Sequence, residues 1–533
     1  MAIQAPSAQE IIELMDAPTR EEIDLVQRAY KRSAEAHAPH TRYSGEPFFI
    51  HPATVALYLS EMGMDAHTIA AGLLHDSIED AGVTKDEIIT GFGSDVYHLV
   101  EGVTKLGHVR YQGLERHAES LRKLFAATAQ DVRVIIIKLA DRLHNARTLM
   151  HVPEHKRGRI ALETLEVYAP IADRLGMSVI KKDLEDAAFP HAYPQVYEKV
   201  YALFTERTTH AAEGLKRLES DLAEAMAIGE VRNFRIRSRK KGLYSLYKKL
   251  VRKQWDIDSI YDVTALRVIV PDVASCYQAL GVVHGMYRPL PGKLKDYIAF
   301  PKPNGYQSIH TTVQAERTII EVQIRTEEMH KFAEFGLAAH LNYKDNRTQK
   351  KKGASIQWVE QFFPERLAQS EEEQAQQDDK THVPRWIKTI ANDTEDEHQE
   401  YIETLKTDFF SHRIFLFTPK GDVVDLPAGA TPIDFAYAIH SALGDHIAGA
   451  KVNGKLTGIE NALHNGDIIE IITKESAKPN KKWLDIVKTS MARKHIRAAI
   501  MPKEEVEGSD EKNTLHKQDR SAKKKPRAVK KGA

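Results

Sequence analysis

The apolar run Thr68-Ile69-Ala70-Ala71-Gly72-Leu73-Leu74 reads as a core helix, yet it is followed at once by His75-Asp76-Ser77-Ile78-Glu79-Asp80. One histidine and three carboxylates therefore fall on less than two turns of helix, where a core element should have carried more hydrocarbon. Buried charge is costly unless it is paired, binds a cation or takes part in a reaction. Any fold open to this chain has to place partners around that stretch. Phe49-Ile50-His51-Pro52 upstream and Leu139-Ala140-Asp141-Arg142-Leu143-His144-Asn145 downstream supply them, giving a mixed nitrogen and oxygen set of His51, His75, Asp76 and Asp141.

Neutral imidazole with carboxylate suits Mn²⁺, Fe²⁺ or Zn²⁺, and the lack of thiolates argues against a structural zinc. Such an ion lowers the pKa of a bound water and polarises a phosphoryl oxygen. Glu79 and Asp80 lie at i+4 from His75 and Asp76, beside the ion, where they suit general acid/base work on water. Asn145 and Thr148, at i+4 and i+7 from Asp141, share its helix face and could bind substrate. Taken singly, each residue reads as a core histidine or a solvated acidic helix end. Taken together they read as a metal site.

At 533 residues the chain exceeds what one core can organise, and roughly three or four domains are expected. Lysine plus arginine and aspartate plus glutamate are 75 each, which excludes a polycation that coats nucleic acid, so charge has to be read locally. The single cysteine, Cys276, excludes an internal disulfide and a cysteine-rich zinc module. No secretory leader or bilayer-length apolar run is present, and the expectation is a soluble cytoplasmic protein.

Helical periodicity over residues 1–195 predicts an all-helical domain. Residues 196–345 begin with helices to about Met226 and then turn β-rich at Ala265–Val270 and Thr318–Ile324, an α+β domain. Residues 346–410, rich in Lys, Gln, Glu and Asp, read as a linker. Residues 411–474 combine strands with a helix around Phe435 to Leu443 and read as a β-grasp module. Residues 475–500 start a helical region, and 501–533 form a disordered basic tail.

A second constellation lies in the α+β part. The basic run from Arg235 to Lys249 is read as opening a helix on which Lys241, Ser245 and Lys249, at i, i+4 and i+8, form a stripe suited to a triphosphate. Asp262 begins one strand, and Glu321 sits within another, sharing a face with Gln323 and Arg325. An acid inside an apolar strand needs a cation or a proton, so Asp262 and Glu321 read as a Mg²⁺ and general-base pair. Between them, Lys302-Pro303-Asn304-Gly305-Tyr306-Gln307-Ser308-Ile309-His310 joins a stackable ring to cationic and polar phosphate ligands.

Ser44-Gly45-Glu46-Pro47, Leu73-Leu74-His75-Asp76 and Lys138 through Asn145 resemble the HD-type hydrolase domain of RelA/SpoT homologues. That resemblance implies removal of the 3′-pyrophosphate from ppGpp and pppGpp with Mn²⁺ held by His51, His75, Asp76 and Asp141. Glu79 and Asp80 would act on water, and Arg42, Asn145 and Thr148 would contact nucleotide. Tyr43 stands where many members have lysine.

The second set of strings resembles the family's nucleotidyltransferase-like synthetase domain, which moves the pyrophosphate of ATP onto the 3′-hydroxyl of GDP or GTP. By resemblance Tyr306 would stack on guanine, and Lys302, Asn304 and His310 would hold the acceptor. Arg239, Lys241, Ser245 and Lys249 would bind ATP phosphates, while Asp262 and Glu321 would hold Mg²⁺, Glu321 also deprotonating the acceptor. Lys293-Leu294-Lys295-Asp296 is of the basic type associated with bifunctional members.

Gly429 through His440 and Val452-Asn453-Gly454 resemble a TGS domain, which implies contact with uncharged tRNA on the ribosome near His440. The resemblance runs from about residue 20 to 500 and implies a shortened C-terminal regulatory region without zinc-finger or ACT modules. Competing readings are a hydrolase with a nucleotide-sensing synthetase domain, and a tRNA- or ribosome-binding adaptor.

Overall fold

The computed structural model describes residues 4–107, 131–260, 263–302, 305–315, 318–339, 413–419, 423–464 and 466–500. Asp262, Asn304, the expected linker and the expected basic tail lie outside the described residues. The chain divides into two compact units, residues 1–402 and 403–533.

The first unit begins with helices. Helix α1 (Arg20–His37) starts at a capping box in which Thr19 and Glu22 satisfy each other's backbone N–H groups. Helices α2 (Ile50–Glu61) and α3 (Ala66–Leu74) pack so closely that a Cβ on Gly72 would fall 2.3 Å from Leu59 Cδ1. The continuous helix expected through Asp80 is interrupted: α3 stops at Leu74, and α4 (Ser77–Ala81) is a separate short turn. The last carbonyls of α3 account for the break. Those of Gly72 and Leu73 accept from His75 Nδ1 and Ser33 Oγ, at 2.8 and 2.6 Å, instead of continuing the helical ladder. Helix α5 (Val132–Arg147), capped by Asp131, carries Asp141 through Thr148 past this break. Helix α6 (Ser178–Ala192) packs on α5 and leads into the 35-residue α7 (Pro194–Ile228).

A mixed sheet follows. Strands β1 (Arg235–Lys240), β2 (Thr264–Val270), β3 (Arg288–Pro289), β4 (Lys295–Asp296), β5 (Ile309–Ala315) and β6 (Thr318–Thr326) assemble in the order β1-β2-β6-β5-β3, with β4 beside β5. Only β2 and β6 run parallel. Alternation sends Leu266, Val268, Val270, Ile320, Val322 and Ile324 into a core with the end of α7 and with α9 (Val273–Met286). The opposite strand face carries Arg267, Glu321, Gln323 and Arg325, next to α10 (Glu327–Phe335). Between β1 and β2 lies α8 (Leu243–Arg252).

The second unit contains a hairpin, β7 (Arg413–Phe417) with β8 (Val423–Pro427), and a three-stranded sheet in the order β10-β9-β11, formed by β9 (Ile447–Val452), β10 (Lys455–Thr457) and β11 (Ile469–Thr473). A parallel bridge between Phe417 and Ile468 joins them. The helix expected over Phe435 to Leu443 is two pieces, α11 (Pro432–Ile439) and α12 (Ser441–Asp445), parted at His440. Fully buried Asp434 accepts from the backbone N–H groups of Thr431, Lys488 and Thr489, so the segment after residue 475 is tied to this module. Trp483, Val487 and Ile496 complete its core.

Candidate functional site

His51 near the start of α2, His75 after α3 and Asp141 within α5 are all buried, and one ligand atom of each lies within 4.8 Å of the others. Asp76 joins them: its carboxylate is 3.4 Å from His51 Nε2 and 3.2 Å from His75 Nε2. His75 Nδ1 faces the Gly72 carbonyl, which can only accept, so Nδ1 carries a proton and, in the neutral ring, Nε2 is the nitrogen with the lone pair. That Nε2 is buried without a hydrogen-bond partner, although Asp76 lies so near. An orphaned imidazole nitrogen facing carboxylates fits a divalent cation.

The electrostatics agree with a cation pocket. Burial works against charge at His75, Asp76 and Asp141, yet the two carboxylates raise His75 to about 9. Asp76 is held well below the usual carboxylate range by His75 and His51 despite its burial, and Asp141 likewise by Lys138, 2.7 Å away, and by His51. The acids are thus balanced by neighbouring cationic groups, His75 and Lys138 among them. Asp80 is pushed up by partial burial and by Asp76, and both Glu79 and Asp80 are exposed on the short α4.

Arg42, Asn145 and Thr148 come together as well. Arg42 Nη2 donates to Asn145 Oδ1 at 2.8 Å and to Thr148 Oγ1 at 3.5 Å, while Asn145 Nδ2 donates to Asp141. Its neighbouring Nη1 lies 3.1 Å from His144 Nδ1. His144, Lys138 and His37 were given no role in the sequence, although two of them stand in the Lys138–Asn145 string. His37, fully buried and stacked on Phe48 at 4.9 Å, has neither ring nitrogen hydrogen-bonded, and burial lowers it to about 4.

The second constellation forms on the sheet. The register sets Gln323 of β6 between Arg267 of β2 and His310 of β5. Gln323 Nε2 donates to Glu321 Oε1 at 2.7 Å, its Oε1 accepts from Arg239 Nη1 at 3.2 Å, and His310 Nδ1 is 3.4 Å from Glu321. Tyr306 Oη is 2.8 Å from His310 Nε2, and Lys302 lies over the rings of Tyr297 and Tyr306. Burial pushes both His310 and Lys302 down. Arg325, at 2% exposure the bulkiest fully buried side chain among the described residues, lies on this face, and nothing in the sequence signals its burial.

The expected cationic stripe is corrected. Arg235–Lys240 is a strand, which places Arg239 on β1, and Lys241 precedes α8, so Lys241, Ser245 and Lys249 are not three positions of one helix. Ser245 Oγ donates to buried Glu185 of α6 at 2.9 Å, and Lys248 pairs with the same carboxylate at 2.7 Å. Nothing in the local sequence marks Glu185, which lies 60 residues from Ser245. In the second unit His440 is exposed and caps α12, its Nδ1 accepting from the Ala442 N–H.

No helix among the described residues is long and apolar enough to cross a membrane. Residues 29–178 match the model of the HD domain, 238–348 that of the region found in RelA/SpoT proteins, and 414–473 that of the TGS domain. The chain is 44% identical to a GTP pyrophosphokinase of Myxococcus xanthus, over 90% of this chain and 60% of that protein. It is 41% identical to a guanosine-3′,5′-bis(diphosphate) 3′-pyrophosphohydrolase of Aquifex aeolicus, over 93% of this chain and 68% of the relative. With the Escherichia coli bifunctional (p)ppGpp synthase/hydrolase SpoT it shares 41% identity, over 90% of this chain and 65% of that one. The chain thus spans about two thirds of the length of these relatives or slightly less. Its three regional matches and its identity along nearly the whole chain place it in the RelA/SpoT family, with a cluster of candidate metal ligands in its helical region.

Proposed function

We propose that the chain is a bifunctional alarmone enzyme of the cytoplasm, in which the helical region hydrolyses the 3′-pyrophosphate of (p)ppGpp and the sheet region transfers pyrophosphate from ATP to the 3′-hydroxyl of GDP or GTP. The observation that carries this reading is the convergence of His51, His75 and Asp141 within 4.8 Å around an orphaned imidazole nitrogen, in a chain whose relatives bear both activity names.

In the first pocket His51, His75, Asp76 and Asp141 would hold Mn²⁺, which when bound supplies an acidified water and charge for the phosphoryl oxygens. Glu79 and Asp80 take and return the proton of the attacking water, a task that suits the raised Asp80. Arg42, held by Asn145 and Thr148, meets the nucleotide. In the second pocket Asp262 and Glu321 would hold Mg²⁺, whose charge offsets that of the polyphosphate. Tyr306 stacks on guanine, Lys302, Asn304 and His310 hold the acceptor, and Arg239, Lys241, Ser245 and Lys249 meet the triphosphate. Glu321, positioned by Gln323 and His310, removes the acceptor proton. Charge and positioning supply most of the acceleration in such a transfer. Residues 411–474, with exposed His440, take the role of a contact for uncharged tRNA and the ribosome.

Two incubations test this. Purified protein with ATP, GDP and Mg²⁺ should produce a pyrophosphorylated guanosine nucleotide, and with ppGpp and Mn²⁺ should release pyrophosphate. Silence in the second tube refutes the metal-site assignment; silence in the first leaves a hydrolase.

A further inference from the structure

Behind the face of His51 that looks toward the acids, two donors converge on one nitrogen. Arg42 Nη1 is 3.1 Å and His51 Nδ1 is 2.8 Å from His144 Nδ1. A guanidinium can only donate, so His144 Nδ1 holds a lone pair and its ring proton is on Nε2. With no proton on that nitrogen, His51 Nδ1 has to be the donor in the second contact. The consequence reaches the atom that faces the acids: in the neutral ring that a ligand has to be, His51 Nε2 is the nitrogen left with the lone pair, and it lies 3.4 Å from both Asp76 and Asp141.

We propose that His144 is a positioning residue which, held in one tautomer by Arg42, sets His51 in the tautomer that can ligate the metal. The proposal rests on the metal-site reading above. It makes a single relay from half-buried Arg42 through His144 to His51. His144 is 6% exposed and its ring centroid is 4.9 Å from that of His51, so packing holds the relay in place. Removing the Arg42 donor frees His144 to carry its proton on Nδ1, which would turn His51 Nδ1 into an acceptor and point an N–H at the ion. His75 reaches the same tautomer by a different route, donating Nδ1 to the Gly72 carbonyl, which cannot change roles. The two imidazole ligands therefore differ: one is set by the backbone and one by a side chain that can be replaced.

The test is Mn²⁺ titration of the full chain, followed by loss of the free-ion paramagnetic resonance signal, with His75→Ala supplying the background from any other site. His144→Phe keeps ring volume without an acceptor and should weaken Mn²⁺ binding about 10- to 100-fold, the range for loss of a ligand's hydrogen-bond partner. His144→Asn, which retains an acceptor, should recover most of that loss. Arg42→Met should weaken binding about fivefold without touching a ligand, and the double variant should be no weaker than His144→Phe alone. Wild-type affinity in His144→Phe, or losses that simply multiply in the double variant, would overturn the relay. If circular dichroism shows His144→Phe unfolded, Arg42→Met decides, and unchanged Mn²⁺ affinity there overturns it. A wild-type titration identical to that of His75→Ala would instead remove the metal centre itself, and the relay with it.

Discussion

In the helical region His51, His75 and Asp141 are buried and come from separate parts of the chain, and each is held across the fold or by the backbone: His75 by a carbonyl, His51 by His144, Asp141 by Lys138 and Asn145. In the sheet region the polar groups share one strand face, with Glu321, Gln323 and His310 aligned by register and Tyr306 brought in by a loop. The first arrangement concentrates acids in a small buried volume, where a bound cation suits them. The second spreads cations along a surface that a polyanion can cover. A helical pocket of this kind announces itself in short contiguous strings, whereas a strand face depends on which neighbours pairing supplies.

The two pockets should empty independently, and the largest effect is expected at the first. His75→Ala should lower Mn²⁺-dependent ppGpp hydrolysis by about a thousandfold or more and leave transfer from ATP to GDP within about twofold, measured by nucleotide separation. Parallel loss of both activities would show that the pockets are one system. Glu321→Gln is the converse, with synthesis falling about 10²- to 10⁴-fold and hydrolysis unchanged.

Burial of histidine around the helical pocket gives a third handle. His37 is held down to about 4 in the folded chain, against 6.5 for the free side chain. Between those values the unfolded chain binds the proton and the folded one does not, so the stabilisation present above pH 6.5 is lost as pH falls toward 4, by roughly 2 to 3 kcal/mol. His37→Phe, which keeps the stack on Phe48, should remove that component. Urea midpoints at pH 7.5 and 4.5, taken as wild type against variant, measure it, and an equal pH dependence in both chains would discard the assignment. The smallest effect concerns the join between the regions. Glu185→Gln loosens Ser245 and Lys248 of α8 from α6 and should lower the KM for ATP about threefold with hydrolysis untouched; an unchanged KM would mean Ser245 does not meet ATP.

Much of this was readable in the chain. The HD-type, synthetase-type and TGS regions follow from strings such as Leu73-Leu74-His75-Asp76 and Gly429 through His440, because ligand chemistry and turn residues are written within a few positions. The helical stripe over Lys241, Ser245 and Lys249 failed for an equally local reason: alternation of basic residues in Arg235–Lys240 pairs with β2, and a run of charges has no apolar period to tell strand from helix. Glu185 and His144 were missed because their importance lies in partners 60 and 93 residues away.

Sequence alone settled which side chains are available and which local element most of them occupy, since side-chain chemistry, caps and periodicity are properties of neighbours along the chain. Only the tertiary structure decided which nitrogen of each histidine faces the acids, that α3 ends before His75, and that Ser245 is engaged by the helical region. Those outcomes depend on hydrogen bonds closed across the fold, where the donor that satisfies one group removes a choice from the next.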